Sequence, residues 1–150
     1  MISSIKPSWQ EPEMRVLSSL RELEISLNDW ERYQQYSLED LKKDRDKRNM
    51  ILHAMLVSIQ SAIDISSYLI SENGIKRPET YRETFDLLGQ SGKISEELAA
   101  ELSDLAGFRN ALVHVYWDLN LDEIYSILQN DLKTLKSFKD EIKKILIDGG

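Results

Sequence analysis

From Leu38 to Glu72 the chain has neither proline nor glycine, and its apolar residues recur at helical spacing. No ordinary strand is that long, so this stretch sets the class as all-α. Breakers are scarce elsewhere too. The 3 Pro and 6 Gly gather near Pro7, Pro12, Gly74, Pro78, Gly89, Gly92, Gly107 and the Gly149–Gly150 end. They mark out five helices. The first starts at Pro12, is led by Val16, Leu17, Leu20, Leu23, Ile25 and Leu27, and heads towards Tyr36. The second opens at Ser37, with Asp40 completing a variant of the capping box, and runs unbroken to about Glu72, where Asn73–Gly74 ends it. A short third helix follows Pro78, from about Glu79 to Leu88. The fourth opens at Ser95 and runs towards Tyr116; the last starts at Asn120, with Glu123 three residues on, and continues through Ile145.

Composition narrows the functions. At 150 residues one domain is expected, large enough to bury close to 70% of its unfolded surface. The absence of cysteine excludes disulfides, thiolate metal sites and a cysteine nucleophile, and leaves a reducing cytoplasm as the expected compartment. No apolar run approaches the roughly 18 residues of a membrane span, and the first residues lack the apolar stretch of a signal peptide, so no membrane partner is expected. With 26 Asp+Glu against 19 Lys+Arg the net charge is −7, which argues against a broad nucleic-acid-coating face. Any contact with RNA has to be local.

Two helices separate into faces when residues are placed about 100° apart. In the second, Ile51, Leu52, Met55, Leu56, Ile59, Ala62, Ile63, Leu69 and Ile70 form the core face. Asn49, His53, Gln60, Asp64 and Ser67 form a narrow polar stripe opposite, with Arg45 near it. Amphipathic helices produce such stripes without any function, and His53 reads as a partly exposed surface histidine. The run Lys42-Lys43-Asp44-Arg45-Asp46-Lys47-Arg48 likewise suits an exposed, ion-paired turn.

In the fourth helix Leu105, Phe108, Ala111, Leu112 and Val115 share one arc. Arg109, Asn110, His114, Tyr116 and Trp117 share the other, interrupted by Val113. Arginine offers a planar phosphate clamp, histidine a group titrating near neutrality, asparagine an orienting amide and tyrosine a phenol. Together they suit phosphodiester chemistry without a metal. The same residues can also simply cap carbonyls and cover apolar area.

The segment Gly107-Phe108-Arg109-Asn110-x-x-Val113-His114-x-Tyr116 resembles the Arg-x4-His-x-Tyr signature of HEPN domains of the HepT type. Similarity extends to Arg45-Asp46-Lys47-Arg48-Asn49, Gln60-x-x-Ile63-Asp64-Ile65, Thr80-Tyr81-x-x-x-Phe85-x-x-Leu88 and Asn120 to Leu128. It covers roughly residues 38 to 140. Asn120 stands where the family is expected to show Asp, and both residues cap helices.

The resemblance implies an antiparallel up-and-down bundle of four to five helices that dimerises. Residues 1–37 would form an N-terminal extension and helix, and 38–150 the bundle, within a single compact domain. It implies the toxin of a type VII-like toxin–antitoxin pair, a metal-independent endoribonuclease needing no cofactor. Its cognate minimal nucleotidyltransferase antitoxin would neutralise it by AMPylation of Tyr116. Arg109 would bind the scissile phosphate, His114 would act as general base or acid, and Asn110 would orient them. One Arg and one His give half of an acid–base pair, so a two-fold homodimer would supply the rest. Asp64 is expected to accept a hydrogen bond from Arg109 or His114, and Arg45 and Arg48 to extend the phosphate path. Trp117 would stack a base or bury at the dimer seam. The alternative function is a non-catalytic helical module that binds a nucleotide or docks the nucleotidyltransferase.

Overall fold

A computed structural model describes residues 11–114 and 118–148 of the chain. Its helices are α1 (Pro12–Tyr33), α2 (Leu38–Lys43), α3 (Arg45–Glu72), α4 (Tyr81–Gln90), α5 (Glu96–His114), α6 (Leu121–Asn130) and α7 (Leu132–Asp148). Among the described residues there is no strand. Most expected starts carry the expected caps, and α4, which starts at Tyr81 and not Glu79, gains one that was not expected. Pro12 opens α1, and Ser37 and Asp40 exchange both bonds of the capping box at 3.1 and 3.0 Å. Thr80 caps α4, Ser95 the first turn of α5 and Asn120 α6, each accepting from the backbone N–H three residues on. Gly74 (φ 64°) and Gly92 (φ 78°) take the left-handed conformation just past α3 and α4. There Ile75 N–H closes onto the Ile70 carbonyl and Lys93 N–H onto that of Leu88.

Among the described residues seven helices replace the five expected because two of the five are broken, each by side chains rather than by Pro or Gly. At the first break Asp44 is extended (φ −108°, ψ 103°); its N–H bonds the Asp40 carbonyl and its carboxylate accepts from Lys47 N–H at 3.1 Å. One residue thus ends α2 and caps α3. At the second, the Leu128 carbonyl that would receive Leu132 N–H in a continuous helix accepts instead from Trp30 Nε1 (2.9 Å) and Gln34 Nε2 (3.0 Å). The donors come from the end of α1 and its C-cap, and the chain turns at Asp131.

The helix expected to be an N-terminal extension is therefore built into the bundle. Val16, Leu20, Leu23, Leu27 and Trp30 of α1 are buried in the same core as Met55, Ile59 and Ile63 of α3, Phe85 and Leu88 of α4, Leu102 of α5 and Phe138 of α7. Inside the α1–α3 contact Ser58 donates to Ser26 Oγ at 2.8 Å, so both buried hydroxyls are bonded. The core face expected for the long helix is buried, with Leu56 half-buried at its margin. By length and composition α3 could cross a membrane, but most of its apolar stretch is buried inside the bundle. Helix α4 lies close on α5 because Gly89 faces Ala99, where an added Cβ would sit 2.6 Å from the Ala99 Cβ.

Candidate functional site

Helix α5 carries Arg109, Asn110 and His114 on the side away from Leu105, Phe108 and Leu112, which are buried. Ala111, expected on the packing arc, is exposed, as are Val113 and His114. Opposite this arc the α3–α4 elbow brings up Ile70, Ile75, Arg77, Pro78 and Tyr81. Between them opens a cleft of about 1230 Å³ that Arg109, Asn110 and His114 line together. Arg77 and Arg109 face one lining carboxylate, Glu79, so this acidic chain has a focal cationic site.

The guanidinium of Arg109 is held on three sides. Its Nε donates to Gln60 Oε1 at 2.9 Å, and Nη1 donates to Asn110 Oδ1 at 3.2 Å. Its Cζ lies 4.9 Å from the centre of the Tyr81 ring, a cation–π contact. Gln60 Nε2 in turn donates to Asp64 Oδ1 at 3.0 Å. An arginine has five N–H donors, so three remain on Arg109 beyond these bonds, enough for a bidentate hold on a phosphate. Asn110 is thus bonded to the arginine it was expected to orient.

Asp64 departs from expectation in one respect: Gln60 stands between it and Arg109, so the expected direct bond is relayed through an amide. The neighbouring groups take enough water from the Asp64 carboxyl to raise its pKa, against the opposing pull of the Gln60 hydrogen bond and the Arg109 charge.

Arg45 and Arg48 do not line this cleft. Both belong to the first turns of α3, about 22 Å along the axis from Gln60 in the case of Arg45. Arg48 Nη1 donates to the carbonyls of Leu41 (2.9 Å) and Lys42 (3.4 Å), satisfying the end of α2. Arg45 is exposed in a shallow groove with Glu39, Asp40 and Asp46. Neither arginine joins Arg109 at this cleft: Arg48 completes the α2–α3 junction and Arg45 has an acidic neighbourhood. Tyr116 and Trp117 lie outside the described residues. His53 is exposed, as expected.

Tyr81 and Gln60 are the residues that sequence reasoning passed over as site members. Gln60 sat on the polar stripe with Asp64, and its position one turn before Asp64 was the available signal. Tyr81 reaches the site only through the packing of α4 on α5. No group of three or more His, Asp or Glu among the described residues is arranged to hold a metal ion.

A family model described as Ribonuclease HepT-like matches residues 23–142 of the chain. The chain is similar to an mRNA nuclease HepT of Shewanella oneidensis, 29% identical over 102 residues, which are 68% of this chain and 77% of the relative. It is also similar to a tRNA nuclease HepT of Aphanizomenon flos-aquae, 25% identical over 121 residues, 81% and 82% of the two chains. Among solved structures, a tri-AMPylated Shewanella oneidensis HEPN toxin in complex with an MNT antitoxin has the same fold. Its TM-score is 0.77 at 23% identity, with 85% of this chain and 96% of that one covered.

Proposed function

Because the chain belongs to the ribonuclease HepT-like family, we propose that it is the toxin of a toxin–antitoxin pair, an endoribonuclease that cuts RNA without a metal through Arg109 and His114. The observation that carries this reading is the shared cleft, in which an anchored arginine and an exposed histidine stand on one helix face. Arg109 binds the scissile phosphate and offsets the charge that grows on it in the transition state. His114 takes the proton of the ribose 2′-hydroxyl or returns one to the leaving oxygen, and Asn110 orients the guanidinium. A two-fold homodimer brings a second Arg–His set to the RNA, so that one imidazole serves as base and the other as acid.

The partner is a minimal nucleotidyltransferase that attaches AMP to Tyr116. The added phosphate and adenosine exclude RNA by charge and volume. A cytoplasmic location agrees with this pairing, and a Bacillus subtilis chain of the same fold is described as cytosolic (TM-score 0.78, 18% identity, 90% of both chains covered).

Replacing His114 by Ala should lower RNA cleavage by about 10²- to 10⁴-fold with the helical spectrum unchanged. Wild-type cleavage in EDTA should match that in magnesium; a requirement for the metal would remove the metal-free mechanism. After co-expression with the nucleotidyltransferase, intact mass should rise by AMP increments that disappear in Tyr116→Phe.

A further inference from the structure

We infer that Gln60 and Tyr81 are positioning residues for the Arg109 guanidinium, Gln60 from its edge and Tyr81 from its face, and that Asp64 sets which way the Gln60 amide turns. The inference rests on the reading of Arg109 as the phosphate-binding group.

A guanidinium on a flexible stem has to be fixed both in its plane and within it before it can present a chosen pair of donors. The Tyr81 ring, 4.9 Å from Cζ, fixes the plane. The Nε bond to Gln60 at 2.9 Å fixes the rotation within that plane. This edge bond works only if the amide oxygen faces the arginine, and a glutamine can present either oxygen or nitrogen. Asp64 removes the choice: an ionised carboxylate only accepts, so it selects the Gln60 nitrogen at 3.0 Å and leaves the oxygen for Arg109.

Gln60 and Asp64 lie behind the arginine. They border a separate groove with Ser18, Glu22, Leu56 and Ser61 and do not line the cleft that holds His114. They therefore act through Arg109 and not on RNA. With Asn110, which bonds Nη1 from α5 itself, the supports come from α3, α4 and α5, so the donors left on Arg109 are located by the packing of three helices.

The test is cleavage of a defined RNA by the purified full-length chain carrying Gln60→Leu, Tyr81→Ala, Tyr81→Phe, Asp64→Leu or Asp64→Asn, with Arg109→Ala as the reference. Gln60→Leu and Tyr81→Ala should lower kcat by about 10- to 100-fold with KM nearly unchanged, since the interaction lost is one made in the transition state. Tyr81→Phe keeps the ring and should restore the rate. Asp64→Asn keeps a carbonyl oxygen for the Gln60 nitrogen and should exceed Asp64→Leu. Full kcat in Gln60→Leu and Tyr81→Ala beside an inactive Arg109→Ala would overturn the inference and leave the ribonuclease reading standing. So would losses confined to KM.

A wild-type chain that cuts no RNA would instead sink the ribonuclease reading. The supports are then judged by hydrogen exchange of the Arg109 Nε–H in NMR spectra: slow in wild type and fast in Gln60→Leu supports them, and fast in wild type overturns them.

Discussion

Helix α3 engages one arginine in its first turn and another at its middle, and the two are used in opposite ways. At the N-terminal end Arg48 spends its donors on the main-chain carbonyls of Leu41 and Lys42. Facing the middle of the helix, Arg109 bonds, among the described residues, the side chains of Gln60 and Asn110, and lies over Tyr81 in the cleft that an exposed histidine also lines. Main-chain acceptors are present whatever the side chains do, so an arginine that takes them completes a helix end. Side-chain acceptors that are themselves held by other side chains serve to aim a charge. The identity of the acceptors, more than the residue type, separates the structural arginine from the functional one.

The largest effect that tests this contrast is Arg109→Ala, expected to lower cleavage by about 10²- to 10³-fold at unchanged thermal midpoint. A variant that melts early but cuts normally when folded would erase the distinction. Next, Arg48→Ala should reduce unfolding free energy by about 1–2 kcal/mol in denaturant titrations, because two carbonyls lose a charged donor, while cleavage per folded molecule stays as in wild type. Loss of cleavage at intact stability would return Arg48 to the phosphate path. The smallest effect lies beyond both contacts, at Ser66 of α3, whose buried hydroxyl has no hydrogen-bond partner among the described residues. Ser66→Ala should raise stability by up to about 1 kcal/mol and leave both arginines undisturbed. A fall in stability would show that the hydroxyl is bonded in solution.

Much of this was legible in the sequence because a helix reports its faces at a fixed angular step. Among the described residues of α5 the buried Leu105, Phe108 and Leu112 and the polar Arg109, Asn110 and His114 followed from that step, apart from Ala111, and the caps at Ser37, Ser95 and Asn120 followed from residue type. What escaped has a common cause. The break at Asp44 and the turn at Asp131 are made by side chains reaching the backbone, Asp44 to Lys47 N–H and Trp30 and Gln34 to the Leu128 carbonyl. In the second case the donors sit almost a hundred residues away, and no local pattern announces them. The same contact explains why α1 belongs to the core although the resemblance began after it. Tyr81 was hidden for a related reason, since its place over Arg109 depends on how α4 and α5 meet. The distance of Arg45 and Arg48 from the cleft was not legible because charge in the sequence carries no record of which acceptors lie nearby.

That meeting of α4 and α5 passes through Gly89, where a single hydrogen is all that stands between the α4 backbone and Ala99. A methyl group there has no flexible neighbour to push aside and would have to lever one helix off the other. Tyr81 rides at the far end of the same short rod, so the lesion would be felt as a ring sliding from beneath a cation, eight residues from the change. Inherited variation at Gly89 would then read as a defect in turnover, written at a position that no substrate ever touches.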